Sequence, residues 1–288
     1  MEKLLPVAFP AVFKCLTDNV DDVSAVAASA LIPVADLLVS TLPAEAPHVV
    51  NVLWDSLADL DDLSSACNSI MGLLATLLAH STARSNLRGL DALMPRLWPF
   101  LHHTSSSVRK SALLTLQKLT ELDPTVSPMS SGPLQETLRH VYQRALLEHN
   151  PEVLHLIPDV WNDLLKSSRL DTLLLAACPM FGTWLCLAMQ PPRVAIDPQF
   201  LVQTKPGVCN RPYFRRLVFS DVADNLRLWY LQVDDQKKEK ISLTDGSTKL
   251  FMSGSGEGDP LKIAETRLIL TSMLAQLVPF IVSPLPPG

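Results

Sequence analysis

The sequence predicts an all-α chain of about five stacked helix pairs, on three observations. A polar turn followed by a branched apolar residue recurs along the chain. The apolar residues around each turn keep helical spacing. The helices that follow the turns also resemble one another in composition. The turns are Thr17-Asp18-Asn19-Val20-Asp21-Asp22-Val23, Asp59-Leu60-Asp61-Asp62-Leu63, the stretch from Thr104 to Val108, and Glu148-His149-Asn150-Pro151-Glu152-Val153. Val23 to Leu63 is 40 residues, and Leu63 to Val108 and Val108 to Val153 are 45 each. A period in the forties with two helices per unit is the signature of HEAT or armadillo repeats. The predicted fold is therefore a HEAT-repeat α-solenoid with an irregular insert in its last unit.

The template is the stretch 93–122, LMPRLWPFLHHTSSSVRKSALLTLQKLTEL. Its first helix is predicted over 93–102 and carries Pro95 and Pro99. Ser105, Ser106 and Ser107 follow, any of which can cap the next helix, because a side-chain oxygen accepts from the free N–H groups. Val108, Ala112, Leu113, Leu116 and Leu119 then lie on one face, at the spacing of an amphipathic helix. Arg109, Lys110, Gln117 and Lys118 are placed on the wet side. A lone pair of this size cannot bury its apolar stripe, so it requires neighbours.

Taken in order, the second helices are expected over 26–39, 66–78, 112–122 and 154–165. Small residues near their starts, as in AVAASA and SACNSI, permit close helix approach. The first helices carry Pro6, Pro10, Pro95 and Pro99, and proline removes a donor and bends a helix. Asp, Asn and Ser in the turns suit helix N-termini and their dipoles.

A fifth unit opens near Asp171 with LDTLLLAACPMFGTWLCLAMQ, and its partner helix resumes only at Leu261. The expected organisation is a repeat array over 1–190, an irregular insert over 191–259, and a final repeat helix and tail over 260–288. A structureless stretch of that length inside a compact domain is usually functional or disordered. Part of it, 218–233, carries Phe219, Leu226, Leu228, Trp229, Tyr230 and Leu231 and could form a short element.

Composition sets limits. With 288 residues and 48% hydrophobic content the chain can bury an extended core. A net charge of −5 argues against a general nucleic-acid-binding surface. The acidity is local: Asp18, Asp21, Asp22, Asp36, Asp55, Asp59, Asp61 and Asp62 cluster in the first two units. The plain account of these acids is solvated helix caps; the functional account is an acidic ridge facing a basic partner. Five cysteines stand singly without CxxC spacing, which fits reduced, buried thiols rather than a disulfide framework. Residues 173–189 lack charge over 17 positions, the lower limit for a membrane span. Pro179, Gly182 and Thr183 interrupt that run, and it falls in phase with the repeats, so burial among neighbouring helices is the expectation. A membrane hairpin of 173–189 with 268–282 is the alternative.

Chemistry is thin. Gly254-Ser255-Gly256-Glu257-Gly258 has no preceding strand and no following Gly-Lys-Ser/Thr, so it reads as a linker rather than a phosphate loop. His102, His103, His140, His149 and His155 show no HExxH and no nearby cysteine pair, which argues against zinc. Tyr213, Phe214, Arg215 and Arg216 interleave aromatic and basic groups, but four residues make a local fold element the simpler account. No enzyme, metal or cofactor is expected of this chain.

Several long strings carry a resemblance. PVAFPAVFKCLTDNVDDVSAVAASALIPV, VLWDSLADLDDLSSACNSIMGLLATLL, PRLWPFLHHTSSSVRKSALLTL and AACPMFGTWLCLAMQP resemble the N-terminal HEAT domain of the TATA-binding-protein-associated factors, Swi/Snf-type ATPases that remove TATA-binding protein from promoters. The resemblance is close from Leu4 to about Pro191, lapses across 205–249, and returns weakly over 250–281. The unmatched segment is either a lineage-specific insertion or retained intron sequence. The resemblance implies a nuclear, monomeric scaffold that grips TATA-binding protein, while a separate motor domain binds ATP and engages promoter DNA. The motor's GKT and acidic-box motifs are absent from these residues. Inter-helix loops contact the partner in that family. Asp18, Asp21, Asp22, Asp59, Asp61 and Asp62 are the candidate contacts here, since opposed charge would steer a basic partner. A generic HEAT adaptor gripping an extended peptide is the competing expectation.

Overall fold

The computed structural model describes residues 4–58, 60, 66–85, 87, 89–123, 128–148, 150–189 and 260–282. The candidate contacts Asp59, Asp61 and Asp62, the aromatic-basic run at 213–216 and the glycine-rich stretch at 254–258 lie outside the described residues.

The described residues form helices joined by short turns. They are α1 (Leu5–Leu16), α2 (Asp21–Leu31), α3 (Ala35–Thr41), α4 (Ala46–Ser56), α5 (Ala66–Leu78) and α6 (Leu90–Leu101). Then come α7 (Ser106–Thr120), α8 (Ser131–Leu147), α9 (Pro151–Ser167), α10 (Leu170–Met189) and α11 (Pro260–Val282). The units are α1 with α2, α4 with α5, α6 with α7, α8 with α9, and α10 with α11. Successive second helices stack, α2 on α5 on α7 on α9, and α11 continues the row against α9. In the other layer α6 packs on α8 and α8 on α10. This is the predicted all-α solenoid.

Hydrogen bonds tie each unit to the next, at sequence separations close to the repeat period. Ser29 meets Ser69, Asn68 accepts from Ser107, Arg109 pairs with Glu148, and Tyr142 donates to the Trp184 carbonyl. Their sequence separations are 40, 39, 39 and 42. The fifth unit closes in the same manner across a much longer stretch of sequence. The Trp161 indole donates to Met273 O of α11 at 2.8 Å, and Tyr142, Trp161 and Trp184 form one aromatic cluster with centroids 5.4–6.0 Å apart.

Local chemistry moves several boundaries. The predicted helix 26–39 is divided: Pro33 supplies no N–H, so Ile32–Val34 tightens into a 3-10 turn between α2 and α3. Close approach is real at Gly72, where an added Cβ would sit 3.3 Å from Ile32 Cδ1. The first helix of the template starts earlier, at Leu90 after Gly89. Prolines are not confined to first helices, since Pro158 lies inside α9 and Pro279 inside α11. Cys67 is buried, but Cys15 and Cys178 are exposed thiols, so the expectation of buried cysteines holds only in part.

One stretch, Asp21–Thr41, is long and apolar enough by composition to cross a membrane. In the fold it bends at Pro33, and its α2 face of Ala25, Ala28 and Leu31 is buried where α5 packs against it. Leu4, Val7 and Val26 of the first unit and Leu175, Leu268 and Val282 of the last are exposed.

Candidate functional site

The turns that open α2, α7 and α9 stand along one edge, because the second helices stack in the same direction. Bonds run from turn to turn: Ser107 donates to Asn68 at 2.7 Å, and Lys110 pairs with Glu152 at 2.7 Å. The turns are held by different chemistry, and that difference marks the candidate interface.

In the first turn Asp18 Oδ1 accepts from Val20 N at 2.9 Å, and Thr17 Oγ1 caps the end of α1 by donating to Lys14 O at 3.1 Å. Val20 is extended and releases α2, with Asp21 and Asp22 in its first turn, where the helix dipole favours carboxylates. Asp18, Asp21 and Asp22 are all exposed. The structure therefore brings these three predicted acids together on one turn. Lys14 is the one lysine or arginine between Leu4 and His80, so the field of the first two units is negative.

The third and fourth turns are locked instead. Arg109 was expected on the wet side, yet its side chain is only 11% exposed. Its guanidinium donates to His103 O and Thr104 O at 2.8 Å each and forks onto Glu148 at 2.8 and 2.7 Å. Glu148 is fully buried and has Arg144 Nε 3.2 Å from its second oxygen. Despite burial, which pushes the other way, bonds from Arg109 and the charge of Arg144 hold its carboxyl below the usual range. Burial lowers Arg144 to about 10, which still leaves it charged at neutral pH. Glu148 also accepts from Asn150 N, and Asn150 Oδ1 caps α9 by accepting from Glu152 N at 3.0 Å and Val153 N at 3.3 Å. Ser105, by contrast, makes no side-chain cap: its hydroxyl is engaged by Ser107 at 2.7 Å. Gln117, also expected to be wet, donates to Asp163 of α9 at 2.8 Å.

Beneath these turns α6 and α8 meet through polar side chains. Trp98 Nε1 donates to Thr137 Oγ1 at 3.0 Å, and the Trp98 ring stacks on His140. His102 Nε2 and His140 Nδ1 lie 2.8 Å apart, both rings buried. Burial, the neighbouring imidazole and the guanidinium of Arg144 keep His102 well below its ordinary value, and burial takes His140 to about 3. Both are neutral at physiological pH. Sequence reasoning missed this pair and the Arg109–Glu148 lock. Their separations of 38 and 39 residues were the available signal, since a shift by one repeat lays one partner over the other. Among the described residues no three His, Cys, Asp or Glu converge as metal ligands.

Comparison with known proteins bears on this scaffold. The chain is 43% identical over 205 residues to TATA-binding protein-associated factor 172 of Homo sapiens, a match covering 70% of the chain and 11% of the human protein. It is 35% identical over 238 residues to BTAF1 of Arabidopsis thaliana and 37% identical over 163 residues to MOT1 of Saccharomyces cerevisiae, both named TATA-binding protein-associated factors. Those matches cover 68% and 52% of the chain, and 12% and 9% of the relatives. These factors are homologues of the chain. A family described as "Domain of unknown function (DUF3535)" matches residues 160–283, from the second half of α9 through α11. The similarity to the associated factors supports a role in transcription regulation, and the chain spans only about a tenth of their length.

Proposed function

We propose that this array is a scaffold segment of a TATA-binding-protein-associated factor. It grips TATA-binding protein so that an ATP-driven motor elsewhere in the full-length protein can displace it from promoter DNA. The observation carrying this reading is the 43% identity over 205 residues to a protein named for that association. The geometry is compatible. A row of turns on stacked helices offers a rigid edge, and the acids of the first turn are exposed rather than consumed by packing. The segment itself acts as a binding element in the nucleus, not as an enzyme, with no cofactor of its own; ATP and promoter DNA are engaged by the motor. The proposed contacts are Asp18, Asp21 and Asp22, with Asp59, Asp61 and Asp62 of the following turn.

The test is binding of residues 1–288 to purified TATA-binding protein at low and high salt, beside a variant with those six aspartates changed to asparagine. Binding that weakens with salt and with the substitutions is expected, because opposed charge is screened. Binding indifferent to the substitutions would move the contact to another face. No binding at either salt, with an unrelated extended peptide retained instead, would make the array a generic adaptor.

A further inference from the structure

The two layers of the array are joined by different physics between units three and four. In the second-helix layer α5, α7 and α9 bury Leu73, Leu74, Leu113, Leu116 and Ile157, while the polar bonds between these helices, Ser107 to Asn68, Lys110 to Glu152 and Gln117 to Asp163, lie at the exposed or half-buried rim. The apolar contacts are many, short-ranged and free of the directional demands of a hydrogen bond. In the first-helix layer α6 and α8 also bury apolar residues, among them Leu97, Leu101, Leu134 and Val141, but here directional polar bonds run through the buried part of the seam. Within that seam His102 Nδ1, His140 Nε2 and both amide atoms of Gln143 are buried and find no protein partner, and Arg144 Nε faces Glu148 without hydrogen-bond alignment. Buried polar groups left unsatisfied cost about 1–3 kcal/mol each. Among the described residues the seam therefore carries more of these costly atoms than the layer beside it, where the Thr115 hydroxyl of α7 is one, although both hold the same two units.

We propose that the α6–α8 seam is a latch: it fixes the angle between units three and four while the His102–His140 hydrogen bond is made, and it opens about the apolar second-helix layer when that pair takes up a proton. The bond needs one ring to donate and the other to accept, so a proton on each removes the acceptor. The charges acting on the pair are Arg109 from α7 and Arg139 and Arg144 from α8, with Glu136 of α8 paired to Arg139, Glu148 of the α8–α9 turn paired to Arg109 and Arg144, and His103 next to His102 in the chain. With Arg109 and Arg144 sharing one carboxylate, this surrounding is cationic and repels an added proton. On its far side α8 carries Tyr142 against Trp161 and Trp184, which supply no counter-charge. A proton therefore enters the pair only as the seam opens to water. The latch is independent of the identity of any partner; for a scaffold that grips another protein, it would set the spacing of the turns above it.

Hydrogen–deuterium exchange of the intact chain tests this. With rates corrected for intrinsic exchange, α6 and α8 amides should exchange faster than those of α5 and α7 at pH 7.5. The gap should widen at pH 5.5 by about tenfold for each histidine that protonates on opening. In a His102→Leu/His140→Leu variant that keeps the helical circular dichroism of the parent, the pH response should vanish and α6–α8 protection should rise. Equal protection of the two layers at both pH values would overturn the latch, as would a pH response that survives in the folded variant. Should the variant fail to fold, the parent's layer comparison decides alone.

Discussion

Turns one and four open equivalent helices, yet they use charge in opposite ways. In turn four Glu148 is sealed between Arg109 and Arg144 and helps to hold the next cap residue, so its charge is spent inside the array. In turn one Asp18, Asp21 and Asp22 are exposed: Asp18 accepts from Val20 N of its own turn, and Asp21 and Asp22 stand at the N-terminus of α2. A charge that holds the solenoid together cannot also face a partner. The contrast thus separates residues whose loss should unfold the array from residues whose loss should only change what it binds.

The sharpest way to break the contrast is Glu148→Ala. It leaves two buried guanidiniums without their shared carboxylate, and breaking a buried pair costs about 3–5 kcal/mol. Urea unfolding followed by circular dichroism should show a loss in that range. A loss below about 1 kcal/mol, the range of exposed pairs, would place Glu148 with the surface acids.

Next in size is pH. His102 and His140 have folded values below the ordinary 6.5, so the unfolded chain binds more protons as pH falls through 6.5. Their contribution is fully present above that value and declines below it. Between pH 7.5 and 5.5 the expected loss is about 1.4 kcal/mol for each histidine. Glu148 acts in the same sense but later, once pH drops below its ordinary 4.5. An unfolding midpoint that is flat from pH 7.5 to 5.5 would contradict the neutral buried pair.

A smaller effect is expected at the α9 cap. Asn150→Ala removes the acceptor for Glu152 N and Val153 N, and loss of such a cap costs about 1 kcal/mol. The parallel Ser105→Ala change should cost less, because the Ser105 hydroxyl binds Ser107 rather than the helix N-terminus.

These contrasts also show what a single sequence can carry. The architecture was legible because each unit repeats its turn and its apolar stripe. Residues 66–78 came out as a helix with no change of boundary. The pairing of α10 with α11 was legible too, because phase survives an insertion. Side chains that act between units were not. Arg109 sits where helical periodicity points to solvent, and only stacking brings Glu148 over it. Periodicity within one helix says which face is apolar; it does not say that the neighbouring unit's turn overhangs the polar face. Gln117 was misplaced for the same reason, as Asp163 of the next unit reaches it. The helix at 26–39 failed on local chemistry, because the lack of an N–H at Pro33 outweighed an otherwise helical stripe.

The smallest effect on folding, and the largest expected on recognition, belongs to turn one. Asp18→Asn, Asp21→Asn and Asp22→Asn together keep side-chain size, and asparagine still accepts from Val20 N and still suits a helix N-terminus. The thermal midpoint should stay close to that of the parent. The association rate with a basic partner should fall, and its dependence on salt should flatten, because exposed charge acts through long-range steering more than through the final contact. A control comes from turns three and four. Exchanging Lys110 and Glu152, as Lys110→Glu with Glu152→Lys, preserves both the pair and the net charge. It should leave stability and association rate alike unchanged. If the swap slows association and the three asparagines do not, the partner sits over the paired turns, and the exposed acids of turn one are only solvated helix caps.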